Sequence, residues 1–303
     1  MRLSMGYSFL KKYAFLAVSI CAISVALFFF GKIFYQTWGA LEAISLSINY
    51  SYVISSVLLC LTGFFTMTLG YYIVIKSLGI EMPFKKAAKA RAFSEIGGYV
   101  PGKVWTLLTR MHYSKHWMNK AEVIASSSIE IASLILSSIF AFVIISIIQP
   151  GIFSEYSIIF YIALPLCLIM MHPKILSFCL NIGLKIFKKE SISLKISYKN
   201  LLIINIIYAF YWLFSGISIF LLINAVYPLS WAYLPYLILV YAVAWTVGFL
   251  SVIFPAGLGL REGILVYMLG AYMPVQFTLV AAVVFRCVTL LAQFILALIF
   301  SFA

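Results

Sequence analysis

The chain has 303 residues, 65% of them hydrophobic and 10% charged, and apolar runs of roughly 18 or more residues recur along it, which excludes a large soluble domain and describes a polytopic membrane protein. Its formal net charge of +13 does not indicate nucleic acid: the basic residues cluster beside apolar runs, where anionic lipid headgroups account for them, and no folded basic domain is present to bind a polynucleotide. Cys21, Cys60, Cys167, Cys179 and Cys287 lie in apolar segments without a paired spacing, so they read as packing residues, and neither a disulfide framework nor a metal site nor a cofactor is expected.

In chain order, Lys11 and Lys12 precede the run Tyr13 to Phe30, which is too long for a signal peptide and lacks a small-residue cleavage site, so it reads as a retained first span. Further apolar segments run from Tyr50 to Ile75, Val123 to Ile148, Tyr156 to Met171, Leu201 to Ala225 and Tyr233 to Phe254. A short Gly263 to Met273, which needs Pro255 to Arg261 to cross as a broken helix or else re-enters, and a long Gln276 to Phe302 complete the set. At roughly 20 residues per crossing this gives an all-α, polytopic helical membrane protein of about eight spans. It is one integral membrane domain over 1–303, with possible halves 1–150 and 151–303. Between the spans, EMPFKKAAKARAF predicts an interfacial helix followed by a re-entrant dip near 94–108, and LKIFKKESISLKISYKN predicts an amphipathic connector on the membrane surface.

With the amino terminus inside, three regions become cytoplasmic and hold 3 basic residues through Lys12, 9 from Lys76 to Lys120 and 6 from Lys174 to Lys199, out of 21 Lys and Arg. The opposite loops are nearly bare, as the positive-inside rule requires. This asymmetry predicts a cytoplasmic amino terminus, and the expected location is a bacterial inner membrane.

Two segments break the rules for membrane helices: EIGGYVPGKVW, Glu95 to Trp105, and PAGLGLREG, Pro255 to Gly263. Non-helical backbone at membrane depth is tolerated only where it is buried in protein or lines a cavity, and transporters place substrate sites at such breaks. In the first, Lys103 offers a flexible cation to a phosphate and pairs with Glu95, or the two form a structural salt bridge; Tyr99 and Trp105 flank them as candidate ligands or interfacial anchors. In the second, Arg261 and Glu262 open a helix whose free amides attract an anion, or they simply cap that helix at the interface. Each half thus carries one Pro/Gly break with a basic residue beside it, the pattern of two repeats meeting at a site.

Two later spans carry polar faces. Ser126, Glu130, Ser133 and Ser137 fall at helical spacing, so Glu130 points into the bundle and needs a partner, or is satisfied by its serines. Arg286, Thr289 and Gln293 do the same in the last span, where Arg286 needs Glu130, Glu262 or an anionic ligand. Catalytic signals are poor: the chain has no aspartate and only His112, His116 and His172, and it contains no phosphate-binding loop that would couple ATP hydrolysis. No catalytic residue is assigned.

At RAFSEIGGYVPGKVWTLLTRM (Arg91 to Met111), SSSIEIASLIL (Ser126 to Leu136), MHPKIL (Met171 to Leu176) and FPAGLGLREGILVYML (Phe254 to Leu269), the chain resembles the membrane region of the lysylphosphatidylglycerol synthase/flippase family. The resemblance implies translocation or handling of anionic lipid-linked headgroups, with the surroundings of Lys103 and of Arg261-Glu262 as family-motif positions. Bifunctional members continue into further spans and a soluble aminoacyl-transfer domain, so lysyl-lipid synthesis is not expected of these 303 residues. The leading expectation is a flippase for an anionic phospholipid or polyisoprenyl-phosphate-linked glycolipid, bound by Glu95, Tyr99, Lys103, Glu130, Arg261, Glu262 and Arg286. A membrane transferase on a lipid-linked sugar or acyl donor, and a non-catalytic subunit of envelope assembly, are the alternatives.

Overall fold

Inside a bilayer only a helix satisfies every backbone N–H and C=O within one segment, and the apolar runs fold accordingly. The computed structural model describes residues 35, 48–100, 104–149, 157–170, 172–186, 196–251 and 255–302. Its helices are α1 (Tyr50–Ser77), α2 (Phe84–Gly97), α3 (Val104–Ser114), α4 (Lys120–Ile148), α5 (Ser157–Met170), α6 (Pro173–Ile186), α7 (Tyr198–Asn224), α8 (Leu234–Leu250, entered through a 3₁₀ turn, Trp231–Tyr233), α9 (Leu260–Leu269) and α10 (Val275–Ser301). No strand occurs among the described residues.

Five of these helices, α1, α4, α7, α8 with its turn, and α10, are long and apolar enough to cross a membrane. The expected span at Tyr156 to Met171 is a helix of 14 residues with Pro165 inside it, and the one at Gly263 to Met273 is the 10-residue α9. Both are shorter than the roughly 20 residues of a full crossing. The expected first span, Tyr13 to Phe30, lies outside the described residues.

Local chemistry sets the helix starts. The Asn49 side chain accepts from Ser51 N at α1, Ser197 Oγ accepts from Asn200 N at α7, and Asn119 and Glu122 form a reciprocal capping box at α4, with bonds of 2.9 and 2.7 Å. Each cap satisfies amides that a helix leaves without intrahelical acceptors.

Because lipid tails are as apolar as leucine, helix association in a bilayer rests on close packing and interhelical hydrogen bonds. The most extensive pairing is α1 with α7, and α7 also packs on α4, α8 and α10. Small residues and polar bridges carry these seams: Ser218 Oγ donates to Ser56 O at 2.7 Å, Trp212 Nε1 donates to Ser137 Oγ at 2.8 Å, and the hydroxyls of Tyr211 and Tyr241 meet at 3.1 Å. Tyr208, Tyr211 and Trp212 are fully buried. Large apolar side chains such as Ile54 and Leu58 on α1, Ile147 on α4 and Leu298 on α10 face outward, where the lipid supplies their apolar surroundings.

Hydrogen bonds between elements fix the two ends of the bundle. Asn49 N donates to Ala225 O and Gln149 Nε2 to Ala232 O, joining the start of α1, the end of α7, the end of α4 and the start of α8. At the other end Lys89 Nζ donates to Ser301 O at 2.7 Å, which places the end of α10 beside α2. The α2–α3 pair packs on itself and against α1, α4 and α10, forming a helical hairpin at that end. Helix α9 runs back along α8, and Tyr236 OH donates to Met268 O at 2.6 Å.

A Cβ added at Gly216 in α7 would lie 2.6 Å from the Cα of Ile238 in α8, a backbone contact with no room to relax, whereas the nearest atoms to one at Gly63 are 3.4 Å away. Gly216→Ala is therefore expected to lower the unfolding temperature in detergent, at a cost of about 1–3 kcal/mol for overpacking, while Gly63→Ala stays close to wild type.

Candidate functional site

Helix α4 places Ser126, Glu130, Ser133 and Ser137 on one buried face, as their spacing predicts. Glu130 finds its partners on the hairpin: Arg91 Nε of α2 donates to Oε1 at 2.8 Å, and Arg110 Nη1 of α3 donates to Oε2. Arg91, Arg110 and Glu130 are 1%, 3% and 3% exposed, so three ionised groups lie together out of solvent. Arg110 is held further by Ser127 Oγ at 3.0 Å, by Ser94 Oγ at 3.1 Å, and by the face of Tyr71, 4.2 Å from its guanidinium carbon. Glu95 accepts from Arg91 Nη2 at 3.2 Å and keeps 28% of its side chain exposed. On α2 and α3, outside the five spans, burial alone would push the arginine pKa values down. Glu130 and Glu95 together outweigh it, with the Glu130 hydrogen bond adding at Arg110, and hold both above the ordinary value, so both guanidiniums stay charged.

The second cluster is built on a break in the backbone. Ala256, Gly257 and Gly259 take φ of 50°, 70° and 80°, left-handed values that an alanine adopts only when its surroundings enforce them. The carbonyl freed at Ala256 accepts from Arg286 Nη2 at 3.2 Å. Arg286 lies 11 residues after the start of α10, roughly 17 Å along the helix, so the break sits near the middle of that span rather than at its end. Glu262, in the first turn of α9, accepts from Gly259 N at 2.7 Å and places its other oxygen 3.5 Å from Arg286 Nε. Tyr99 reaches over from the hairpin, donates to Gln293 Oε1 at 2.8 Å, and presents its ring 5.3 Å from the Arg286 guanidinium.

Arg261, partly buried, differs from the three buried arginines Arg91, Arg110 and Arg286. No carboxylate pairs with it among the described residues, and its Nε has no acceptor there. It lies 5.4 Å from the Trp245 ring, and its side chain runs over Gly248 and Gly257, where an added Cβ would come within 2.8 Å of Nε. A cation–π contact of about 0.5–2 kcal/mol offsets only part of the several kcal/mol that desolvating an ion costs.

These elements enclose a cavity of about 310 Å³. Glu95, Tyr99, Arg110, Glu130, Arg261 and Gln293 supply its polar wall, and Met67, Leu107, Leu134, Trp245 and Phe249 its apolar wall. Trp245 and Phe249 stack with 6° between their planes.

Of the residues singled out from sequence, Glu95, Tyr99, Glu130 and Arg261 line this cavity, and Glu262 and Arg286 lie behind Arg261. Lys103 lies outside the described residues, so its expected pairing with Glu95 is not described; the described partner of Glu95 is Arg91. Arg286 takes Glu262, one of its two candidate carboxylates, and Glu130 is met by Arg91 and Arg110 rather than by its serines or Arg286. Both roles weighed for Glu262, helix cap and charge partner, are present at once. Arg91 and Arg110 escaped notice because they sat among the basic residues of a loop counted for topology. The signals available were the i, i+4 spacing of Arg91 and Glu95 and the apolar neighbours of Arg110 in TLLTRM. His112, His116 and His172 are exposed. Among the described residues no group of His, Cys and Glu could hold a metal.

The family model described as the lysylphosphatidylglycerol synthase TM region matches residues 15–297. No curated protein matches the chain.

Removing one partner from a buried ion pair costs about 3–5 kcal/mol because the other charge stays desolvated. Glu130→Gln, which strands Arg91 and Arg110, is expected to lose stability on that scale, read as a fall in unfolding temperature and in folded yield. Glu95→Gln, at a partly exposed site, is expected to change stability by less than about 1 kcal/mol.

Proposed function

The chain belongs to the lysylphosphatidylglycerol synthase TM-region family, and from that premise we propose that it moves an anionic phospholipid or a polyisoprenyl-phosphate-linked glycolipid between the leaflets of a membrane. The observation that carries this reading is Arg261, a guanidinium without a carboxylate partner among the described residues, in the wall of a cavity of about 310 Å³. That volume falls at the lower end of the roughly 300–1,000 Å³ of small-molecule sites. An anionic headgroup supplies the missing partner, and Arg261 offers it a planar donor fork suited to phosphate oxygens. The apolar parts of the headgroup lie against Trp245 and Phe249, while the acyl or prenyl tails stay in lipid.

The roles divide by charge compensation. Glu130 neutralises the hairpin arginines, and Glu262 with Ala256 O holds Arg286 in place behind the cavity. Glu95, the most exposed member, is the carboxylate free to exchange partners as the headgroup passes. By the positive-inside rule, the end carrying the hairpin with Lys85, Lys86 and Lys89 faces the cytoplasm of a bacterial inner membrane, with about eight crossings in all. A transferase reading needs Glu130 or Glu262 as general base, yet both oxygens of Glu130 accept from arginines and Glu262 is held by Gly259 N and Arg286. Either carboxylate would have to give up one of these partners to take a proton from a substrate.

The test is leaflet exchange in liposomes containing the purified protein, with a labelled phosphatidylglycerol and a labelled zwitterionic lipid followed by quenching of the outer leaflet. Loss of one hydrogen bond from a charged group, about 1.5–3 kcal/mol, predicts a roughly ten- to hundredfold slower exchange of the anionic lipid in Arg261→Gln, with partial recovery in Arg261→Lys. Wild-type exchange in Arg261→Gln defeats the reading, and a change in lipid mass on incubation replaces it with the transferase.

A further inference from the structure

Behind Arg261 lies a second chamber, of about 20 Å³, that shares Trp245, Arg261 and Gln293 with the wall of the larger cavity and adds Glu262, Arg286 and Thr289. It is too small for a lipid headgroup, but it exceeds the roughly 10–15 Å³ that one water needs. Two of the residues lining it carry a buried donor without an acceptor among the described residues: Arg261 Nε and Arg286 Nε. The 3.5 Å approach of Glu262 Oε1 to Arg286 Nε is an ion-pair distance that does not complete a hydrogen bond. A guanidinium is planar and its N–H directions are fixed, so neither donor can turn elsewhere without moving the whole fork.

Net charge distinguishes the possible occupants. Around the larger cavity Arg91 and Arg110 are balanced by Glu95 and Glu130. Around the small chamber, among the described residues, two arginines face one carboxylate, Glu262, whose Oε2 is engaged by Gly259 N. Thr289 spends its hydroxyl on Arg286 O. A water could accept from both Nε–H groups but would leave one positive charge uncompensated in an apolar bundle, whereas a monovalent anion satisfies both donors and the charge together.

We propose that Arg261 and Arg286 hold one chloride-sized monovalent anion in this chamber, each donating its Nε–H to it. Because Arg261 also faces the larger cavity, this ion and an anionic headgroup draw on the same guanidinium. The site goes beyond lipid movement and is measured without it.

The experiment uses the full chain in detergent, stripped of lipid, with sodium gluconate replacing sodium chloride at constant ionic strength and bromide added back. Ligand that binds only the folded state raises its stability saturably, so bromide is expected to raise the unfolding temperature by several degrees with a plateau. Bromide soaked into crystals is expected to give an anomalous peak between the two Nε atoms. In Arg261→Gln both signals are expected to vanish. Because Arg286→Gln alone strands Glu262 and risks misfolding, the double variant Arg286→Gln/Glu262→Gln is the second arm and is expected to lose both as well. Equal unfolding temperatures in gluconate and bromide overturn the site in favour of a water-filled chamber, and a shift that persists in both variants overturns it in favour of a general salt effect. Neither result bears on leaflet exchange, and a protein that binds bromide but exchanges no lipid retains this site while losing the proposed function.

Discussion

A single carboxylate inside an apolar bundle constrains the rest of the molecule. Glu130 sits on the inward face of α4, where an unpaired charge would cost several kcal/mol, and two arginines from outside the spans come in to meet it. They bring the α2–α3 hairpin with them. Once the hairpin is docked, Tyr99 reaches Gln293 and the ring face over Arg286, and Glu95, Thr106 and Leu107 close one side of the cavity. The cavity is thus a consequence of how one buried charge is satisfied.

The two charge clusters behave differently because their sums differ. Where the hairpin meets α4, among the described residues, two arginines and two glutamates pair, and the serines and the Tyr71 ring take up remaining donor positions. A closed network of that kind rigidifies. Around Arg261 and Arg286, among the described residues, one carboxylate faces two cations. The guanidinium left without a carboxylate among the described residues is the one that the proposed headgroup and anion would meet.

The break between α8 and α9 serves that imbalance. Left-handed backbone at Ala256, Gly257 and Gly259 ends one helix and starts another within the depth of the bundle. The carbonyl thereby released is occupied by Arg286, and the glycines let the Arg261 side chain lie against bare backbone at Gly248 and Gly257. Irregular backbone at this depth survives because protein groups and a cavity surround it. Strain at Ala256 is held in place by the arginine that uses its oxygen.

The sequence by itself determined the membrane-embedded, all-helical character, the places of the long helices, the two broken segments and the inward faces of Glu130 and Arg286, because hydrophobic run length and helical period are local properties. It also carried the family, through motifs that lie on those same breaks. Which charge meets which was decided only by tertiary structure. Arg91 and Glu130 are 39 residues apart and Arg110 and Glu130 are 20 apart; Glu262 caps its own helix while facing Arg286 from another. No periodicity encodes such pairings, since a long side chain can reach any helix that packs beside it. Arg261 has the same status. That it has no carboxylate among the described residues is a property of the three-dimensional surroundings, visible only once each described carboxylate nearby has been assigned to another arginine.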